Sequence, residues 1–360
     1  MAGKKKRVGV FTSGGDCAGL NMAVMAVVKR AITGYGWEII GIEDGQDGLT
    51  GASSNFRMGL KMPFGDLIRQ GGSFLGAFSR ANYKDKYVGE LETRRMITAD
   101  VAKGIKRLKL DAIIATGGNG TMLFASGFAR AAGVAFMGIP KTIDNDTPGS
   151  DISIGCNSAV GVCTDALDNI YWTAKSHRRA IVTEVMGRDT GHLALAAGVS
   201  SNADAILVPE IPYTIDGVVK KLKSVRKTEG REHFLIVAAE GAGAEKGEKL
   251  DAQHYGNVAK YVELKLDKAG FTVRSNQLGH IQRGSLPSAF DRQLASMLST
   301  FAVDTLASGR HKCAMVGMRD GKFVVNDLSH FDKAATRFLS TKSKIVRTAC
   351  DLGIYIGEHK

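Results

Sequence analysis

The stretch RVGVFTSGGDCAGLNMAVMAVVKRAITGYGWEIIGI (residues 7–42) contains the pattern that decides the fold class. An apolar run of strand length at 7–12 is followed by a glycine loop, a segment of helical period at 20–33 and a second apolar run at 37–42. The apolar runs are continuous rather than alternating, which is typical of strands buried on both faces. This order of strand, helix and strand predicts a parallel sheet in an α/β fold.

The same alternation continues along the chain. Further strands are predicted at 111–116, 134–139, 180–185, 203–208, 234–239 and 271–275. Further helices are predicted at 121–132, 158–174, 190–200, 215–227, 254–268 and 288–308. Short runs at 313–319 and 322–325 flank Asp320-Gly321, which predicts a β-hairpin.

Length and composition exclude several classes of protein. The 360 residues suffice for two domains with substantial cores, and 44% hydrophobic with 23% charged residues is ordinary for a globular protein. No run of 18 apolar residues occurs, and the start lacks an apolar signal segment, so we expect no membrane contact. Five cysteines without a C-x-x-C pair indicate a reducing cytoplasm rather than a disulfide framework.

The net charge of +12 indicates an anionic partner. Basic residues cluster at 4–7 and at 220–227, but no nucleic-acid-binding motif accompanies them. We therefore interpret both runs as solvated surface and expect no nucleic-acid partner.

Three glycine loops follow predicted strands: Ser13-Gly14-Gly15-Asp16, Gly71-Gly72-Ser73 and Gly117-Gly118-Asn119-Gly120-Thr121. The first and third also precede helices, whose N-termini and close backbone amides favour phosphate. Glycines can also serve only to make a turn, and neither loop matches a Walker P-loop or a dinucleotide fingerprint.

Two aspartates follow the strand at 134–139, in Pro140-Lys141-Thr142-Ile143-Asp144-Asn145-Asp146. The prolines at 140 and 148 exclude a helix interior. In extended backbone, the two-residue spacing of Asp144 and Asp146 puts both carboxylates on one side. Such a pair can accept a hydroxyl proton and help to hold a cation. A plain polar turn explains the same residues equally well.

Charged residues also occur at the ends of the later strands: Arg179, Arg188, Glu240, Arg274, His280 and Arg283. Arginine forks bind phosphate bidentately, although each residue alone could form a surface ion pair. The segment 278–284 is unusual for a plain surface loop because it sets His and Arg among glycines.

Together these residues resemble the 6-phosphofructokinases. The resemblance rests on 13–16 with Gly19 and Asn21, and on 117–121, 140–146, 184–188 and 279–284, which occur in family order and spacing. It implies transfer of a phosphoryl group to the 1-hydroxyl of fructose 6-phosphate, giving fructose 1,6-bisphosphate in glycolysis.

The resemblance implies roles for the catalytic and sugar-binding residues. Asp144 matches the residue that takes the hydroxyl proton, and Asp146 and Thr142 match its neighbours around the transferred phosphate and metal. Arg188 matches an arginine that offsets charge in the transition state. The positions matched to the sugar phosphate are Arg179, Met186, Gly187, Glu240, Arg274, His280 and Arg283, of which Arg274, His280 and Arg283 match the 6-phosphate pocket.

The resemblance also implies a donor site and a metal. The donor-side residues are Gly15, Gly118, Asn119, Gly120, Thr121, Lys141 and Arg80, the last displaced by one residue from the usual family spacing. Mg²⁺ is the expected metal, with Asn119 and Asp144 as ligands. Because the family usually has an acidic residue at Asn119, we expect weaker Mg²⁺ binding.

Members of this family use ATP or pyrophosphate, and two positions bear on the choice. Pyrophosphate users usually carry Asp at Gly120, where a side chain would crowd a nucleotide α-phosphate. They also carry Lys at Lys141, which places a cation near a compact anion. Because steric exclusion is harder to evade than an added charge, we predict ATP as donor, with pyrophosphate as the alternative.

The implied architecture is two Rossmann-like three-layer α/β/α lobes of the phosphofructokinase fold, with the active site in the cleft. We expect 1–150 plus 284–330 to bind the donor, and 151–283 plus 331–360 to bind the sugar phosphate. Arg179 and Arg274 match residues that reach in from a neighbouring subunit. The resemblance therefore implies a homo-oligomer, a dimer or a tetramer, with shared sites.

Other functions remain open from the sequence. A non-catalytic sugar-phosphate-binding subunit would not need Asp144 as a base. A kinase of NAD or of a lipid on a related scaffold shares the first glycine loop but not the segment at 279–284. A longer ketose phosphate such as sedoheptulose 7-phosphate fits the same 6-phosphate residues.

Overall fold

The computed structural model describes residues 5–77, 90–245, 257–329 and 336–358. The chain divides into two compact units: Met1–Thr142, Thr147–Ser158 and Arg283–Thr336 form the first, and Ile143–Asp146, Ala159–Gln282 and Arg337–Lys360 form the second. Compared with the expected boundaries, the segment 143–146 belongs to the second unit, and 151–158, Arg283 and 331–336 belong to the first.

The helices and strands are numbered in chain order. The chain begins with β1 (Arg7–Thr12), α1 (Leu20–Tyr35), β2 (Glu38–Ile42), α2 (Gln46–Thr50), β3 (Asn55–Met58), α3 (Phe64–Leu67), α4 (Glu90–Arg107), β4 (Ala112–Gly117), α5 (Asn119–Ala132), β5 (Ala135–Thr142) and β6 (Ile154–Gly155). It continues with α6 (Cys156–Ser176), β7 (Ala180–Val185), α7 (His192–Ser200), β8 (Ala205–Leu207), α8 (Ile215–Glu229), β9 (Phe234–Ala239), α9 (Val258–Lys268) and β10 (Val273–Gln277). It ends with the 3-10 turn Gly279–Gln282, α10 (Ala289–Ser308), β11 (Cys313–Arg319), β12 (Lys322–Asp327) and α11 (Lys344–Asp351).

The described strands of the first unit form one sheet in the order β12-β11-β5-β4-β1-β2-β3, with β6 paired to β5. The pairs of β1 with β2 and β4, and of β5 with β4, β6 and β11, are parallel. The pairs β2–β3 and β11–β12 are antiparallel. Since β1, β4 and β5 are parallel neighbours, their carboxyl ends meet at one edge of the sheet, where ligands bind in open α/β folds.

Helices cover both faces of this sheet. On one face, α1 and α10 pack on buried strand residues such as Val10 and Ile114. On the other, Ile105 of α4 and Met122 of α5 pack on Ile113. The prediction of an α/β fold with strands buried on both faces is confirmed.

The second unit contains a four-stranded parallel sheet in the order β10-β7-β9-β8. Leu222 of α8 and Val262 of α9 pack on one face around Ile236. On the opposite face α7 packs on β8, and Gly198 lies so close to Ile206 that an added Cβ would be 2.6 Å from its Cδ1. The second unit therefore also has three layers.

The strand β5 runs further than expected, through Pro140 to Thr142. Proline is disfavoured inside a sheet because it cannot donate a ladder hydrogen bond. Here Pro140 lies between the residues paired with β11, which end at Gly138, and those paired with β6, which begin at Lys141. On its other side Pro140 is the last residue of β5 that pairs with β4, opposite Gly117. The proline therefore lies in a gap between two ladders and at the end of the third, so the strand can carry Lys141 and Thr142 to the edge of the sheet.

Two residues of the N-terminal basic run take part in the fold of the first unit. The Lys6 Nζ donates to the Leu306 carbonyl at 3.2 Å and lies 5.2 Å from the centre of the Trp37 ring. The backbone N–H of Arg7 donates to the Asp111 carboxylate at 2.8 Å. These contacts give Lys6 and Arg7 a structural role.

The five cysteines are all free thiols. Burial raises the pKa of Cys17 and of Cys163 to about 12, so neither forms a thiolate at neutral pH. Within the described ranges we find no helix with the length and apolar character needed to cross a membrane.

A buried carboxylate joins three elements of the first unit. Asp291, in the first turn of α10, is fully buried. It accepts hydrogen bonds from the N–H groups of Gly155 (3.0 Å) and Ser158 (2.8 Å) and from the Ser158 hydroxyl (2.5 Å). The end of β6, the first turn of α6 and α10 therefore share one acceptor.

We predict that Asp291→Ala lowers the free energy of unfolding by about 3 kcal/mol, because it leaves three buried donors without an acceptor. Urea titration followed by circular dichroism measures the loss. The control is Asp304→Asn on the same helix, where the solvent-exposed ion pair of Asp304 with Arg30 contributes little to stability. Equal losses in the two variants would contradict the prediction.

Candidate active site

In the first unit, a buried lysine and two glycine loops converge at the carboxyl ends of β1, β4 and β5. Lys141 is only 3% exposed, and its Nζ donates to the carbonyl oxygen of Gly15. A Cβ built on Gly14 would lie 3.7 Å from this Nζ and 3.6 Å from the Thr121 hydroxyl oxygen. An ammonium, a hydroxyl and a glycine backbone with φ +80° thus face one small volume, which suits a phosphate group.

The helix α5 begins beside this volume. Its N-cap is Gly118, which offers no side-chain cap, so the helix N-terminus directs its N–H groups and its partial positive charge toward an anion at this place. Gly120 in that turn is exposed, and a Cβ built on it would meet nothing within 4 Å. The structure therefore leaves room beside Gly120 for part of a ligand.

The side chain of Arg283 lies against the first glycine loop, within the first unit. A Cβ built on Gly15 would fall 1.7 Å from the Arg283 Nη1, so this position requires glycine as long as the arginine is there. The Arg283 Nε is buried and, among the described residues, has no hydrogen-bond partner. Its expected contact with the sugar 6-phosphate stays a prediction, since Gly15 was expected on the donor side.

Two motif residues serve the fold of the first unit. The Asn21 amide nitrogen donates to the Leu67 carbonyl at 3.1 Å, and its oxygen accepts from the Phe74 N–H at 2.9 Å. Gly71 lies so close to the Gly284 carbonyl that an added Cβ would be 2.4 Å from the oxygen. The loop at 71–73 therefore needs glycine at position 71 because of close packing.

Arg80, which was predicted on the donor side, lies outside the residues that the structure describes.

In the second unit, Asp144 and Asp146 form a pair of nearby carboxyl groups. Asp144 is buried, and the burial of Asp146 together with repulsion from Asp144 raises the pKa of Asp146 to about 6. The positive charges of Arg188 and Arg337 act in the opposite direction. Such a pair is suited to accepting a proton and to binding a cation that relieves the repulsion.

Distant residues of the second unit hold the backbone that carries this pair. The Thr190 hydroxyl donates to the Asp144 carbonyl at 3.1 Å. The Arg337 Nη2 donates to the Asn145 carbonyl at 2.6 Å, and the Arg337 N–H donates to the Asp146 carbonyl at 2.8 Å. Sequence reasoning missed Thr190 and Arg337 because no local motif marks them.

Glu240, which follows β9, supports the turn after β7. Its Oε1 accepts from the N–H groups of Gly187 at 3.2 Å and Arg188 at 2.8 Å. Both residues have positive φ, 142° and 50°, so the turn needs this support. Glu240 therefore places Arg188, whose charge acts on Asp146.

Gln282 connects two of the sequence motifs within the second unit. Its Oε1 accepts from the Met186 N–H at 3.1 Å and from the Cys163 thiol at 3.2 Å, and its Nε2 donates to the Gly279 carbonyl at 2.8 Å. The side chain is 1% exposed. In the sequence, only the position of Gln282 between His280 and Arg283 points to it, and the sequence analysis predicts no role for this residue.

The second sheet separates the expected sugar-binding residues into two groups. Met186, Gly187 and Glu240 follow the carboxyl ends of β7 and β9, and His280 follows the carboxyl end of β10. Arg179 and Arg274 lie at the amino ends of β7 and β10, where Val273 pairs with Ala180. Strands of this length set the two edges roughly 20 Å apart.

Comparison with known proteins shows which family this chain belongs to. The sequence model described as phosphofructokinase matches residues 7–306. The chain belongs to the phosphofructokinase family. This confirms the resemblance that the glycine loops and the segments at 140–146, 184–188 and 279–284 indicate.

Relatives from three bacteria and one yeast illustrate the match. An "ATP-dependent 6-phosphofructokinase 1" from Synechocystis sp. and an "ATP-dependent 6-phosphofructokinase" from Chloroflexus aggregans are each 39% identical to this family member and cover 99% of both chains. Phosphofructokinase from Saccharomyces cerevisiae superposes with a TM-score of 0.79 at 29% identity, covering 96% of this chain and 47% of the yeast chain, so this chain spans about half of it. A pyrophosphate-dependent phosphofructokinase from Nitrosospira multiformis superposes with a TM-score of 0.79 over 98% of this chain and 93% of its own, but at 19% identity it shows the fold alone.

We predict that Asp146→Asn raises the free energy of unfolding at pH 8 by about 1 to 3 kcal/mol, because burial disfavours the ionised carboxylate. Since the pKa of Asp146 is raised to about 6, the cost of ionisation is present above that pH and shrinks as the pH falls through it. Below the pKa of the unfolded chain, about 4, both states are protonated and the gain should vanish. Urea titrations in EDTA at pH 8, 6 and 4 measure this, and a pH-independent gain would contradict it.

Proposed function

We propose that this chain transfers the γ-phosphoryl group of ATP to the 1-hydroxyl of fructose 6-phosphate, giving ADP and fructose 1,6-bisphosphate. The observation that carries the proposal is the buried Asp144 carboxyl beside the half-buried Asp146, with Arg188 close enough to act on Asp146. Full-length relatives at 39% identity that are named ATP-dependent 6-phosphofructokinases support the same activity.

The proposed chemistry assigns one step to each charged group. The Asp144 carboxylate accepts the proton of the 1-hydroxyl as its oxygen attacks the γ-phosphorus, and the bond from phosphorus to the β–γ bridging oxygen breaks. The guanidinium of Arg188 offsets the negative charge of the transition state. Asp146 and Thr142 act beside the transferred group, and Met186, Gly187, Glu240 and His280 hold the sugar phosphate.

The first unit is proposed to bind the phosphoryl donor. Lys141, Thr121, the backbone of Gly14 and Gly15 and the N-terminus of α5 supply the positive and hydrogen-bonding groups that a polyphosphate needs. The open surroundings of Gly120 favour a nucleotide. The buried ammonium of Lys141 suits a compact anion, so pyrophosphate is the alternative donor.

Mg²⁺ is the metal we propose for this reaction, and the side chains fit it. In the ranges that the structure describes, no group of three His, Cys, Asp or Glu residues could hold a metal. Mg²⁺ commonly uses one or two protein oxygens and completes its shell with phosphates and water. Asn119 and Asp144 would supply the oxygens, and the bound ion would neutralise charge on the transferred phosphate.

The proposed enzyme is a homo-oligomer, a dimer or a tetramer, with shared sites. Within one chain, Arg179 and Arg274 lie at the edge of the second sheet opposite to Met186 and Glu240. The buried Arg179 Nε has no hydrogen-bond partner among the described residues. Arg179 and Arg274 are therefore proposed to bind the 6-phosphate held by a neighbouring subunit, and a monomer in light scattering would contradict this.

The central test is an assay of the purified chain with fructose 6-phosphate and Mg²⁺, comparing ATP with pyrophosphate. We expect turnover with ATP, and a kcat lowered about 10²- to 10⁴-fold in Asp144→Asn, because that variant lacks the base. Asp304→Asn, which changes an exposed carboxylate, is the control. A rate with pyrophosphate alone would overturn the donor assignment, and a preference for sedoheptulose 7-phosphate would change the acceptor.

The donor assignment has a second test at Gly120. We predict that Gly120→Asp lowers kcat/KM for ATP by about 100-fold or more, because a carboxylate there crowds and repels the nucleotide phosphates. Gly127→Asp is a matched control, since Gly127 also lies in α5 and a Cβ built on it also meets nothing within 4 Å. Equal effects of the two substitutions would contradict the prediction.

A further inference from the structure

We propose that Arg337 is a positioning residue that holds the Asp144 and Asp146 carboxylates in their working orientation. Arg337 lies outside the part of the chain that the family model matches. The inference rests on the proposed function, because the orientation of these carboxylates matters only if they act on a substrate.

Three successive carbonyl groups of this segment each accept a hydrogen bond from a residue far away in the sequence. The carbonyls of Asp144, Asn145 and Asp146 accept from the Thr190 hydroxyl, the Arg337 guanidinium and the Arg337 backbone N–H, respectively. Two of the three donors belong to Arg337. Because successive peptide planes determine where side chains project, holding these carbonyls holds the two carboxylates.

The central carbonyl is the one most in need of support. Asn145 has φ 52°, in the left-handed region, which Asn adopts more readily than most residues but still less favourably than glycine. The Arg337 Nη2 donates to its carbonyl at 2.6 Å, and a hydrogen bond from a charged donor is stronger than a neutral one. Without the guanidinium, the peptide after Asn145 can relax and turn the neighbouring carboxylates.

Arg337 is itself held firmly within the second unit. Its carbonyl accepts from His192 Nε2 at 2.9 Å. Burial and the nearby Arg337 charge lower the pKa of His192 to about 4, so the ring is neutral at pH 7 and its proton lies on Nε2. Two residues further on, the Leu339 N–H donates to Glu210 Oε1 at 2.9 Å, and the same carboxylate accepts from the Gly191 N–H.

The backbone and side-chain roles of Arg337 can be separated by mutation. Substitution of the side chain leaves the bonds of the Arg337 N–H and carbonyl and of the Leu339 N–H in place. The C-terminal segment also keeps its pairing at Tyr355, whose N–H donates to the Asp204 carbonyl and whose carbonyl accepts from the Ile206 N–H. Loss of the guanidinium therefore tests positioning rather than attachment of the segment.

The experiment compares Arg337→Ala and Arg337→Lys with Arg347→Ala, which removes an 85% exposed arginine from the same segment. We expect Arg337→Ala to lower kcat about 10- to 100-fold while KM for fructose 6-phosphate changes less than about threefold. Arg337→Lys should retain more activity than Arg337→Ala, and guanidinium ion at low concentration should restore part of the kcat of Arg337→Ala. Arg347→Ala should match the wild type.

Three results would overturn the inference: a kcat for Arg337→Ala equal to that of Arg347→Ala, a rise in KM without a fall in kcat, or an activity loss that follows a lowered melting temperature and is not rescued by guanidinium. Hydrogen exchange of the peptide covering 143–147 tests positioning independently of activity. Faster exchange in Arg337→Ala than in Arg347→Ala supports the inference, and equal exchange overturns it. If the wild type has no kinase activity, the proposed function fails, and the exchange result still decides whether Arg337 holds the segment.

Discussion

Parallel pairing of β1, β4 and β5 is the constraint on which the proposed donor site of the first unit depends. Parallel neighbours end at the same edge of a sheet, so two glycine loops far apart in sequence arrive side by side with Lys141. The helix that follows β4 then presents its N-terminal N–H groups at the same place. Strand order and helix direction thus create a place that suits phosphate, where glycines would let backbone N–H groups approach an anion closely.

In the second unit, by contrast, two carboxyl groups lie close together where solvent is scarce, which opposes their ionisation. Burial and mutual repulsion oppose the ionisation of Asp146, as its raised pKa shows. The fold holds the segment in spite of this cost through hydrogen bonds to its carbonyl groups from Thr190 and Arg337. Such stored strain is typical of functional sites, and here it comes with arginine charges that partly compensate the repulsion.

The second sheet places the predicted sugar-binding residues at two opposite edges. Residues after the carboxyl ends of β7 and β9 are tied together, since Glu240 holds the turn at Gly187 and Arg188. Arg179 and Arg274 belong to the other edge because the register of β7 with β10 places them at the start of their strands. A parallel sheet cannot bring both edges to one ligand, which is the physical basis for proposing a shared site.

The sequence by itself determined the elements whose pattern is local. β1, β7 and β9 have the predicted ends, and α1, α5 and α10 were found within two residues, because buried strands and long helices carry a continuous or periodic apolar signal. The glycine loops at 13–16 and 117–121 and the Asp144–Asp146 pair were found because each follows such a strand directly. Only the tertiary structure decided the helix α4, the short elements α2, β3, α3, β6 and α11, and the extension of β5 past Pro140. It alone also decided the place of Arg283 beside Gly15 and the roles of Gln282, Thr190 and Arg337. These depend on contacts between residues far apart in the chain, and such contacts leave no periodic trace in the sequence around either partner.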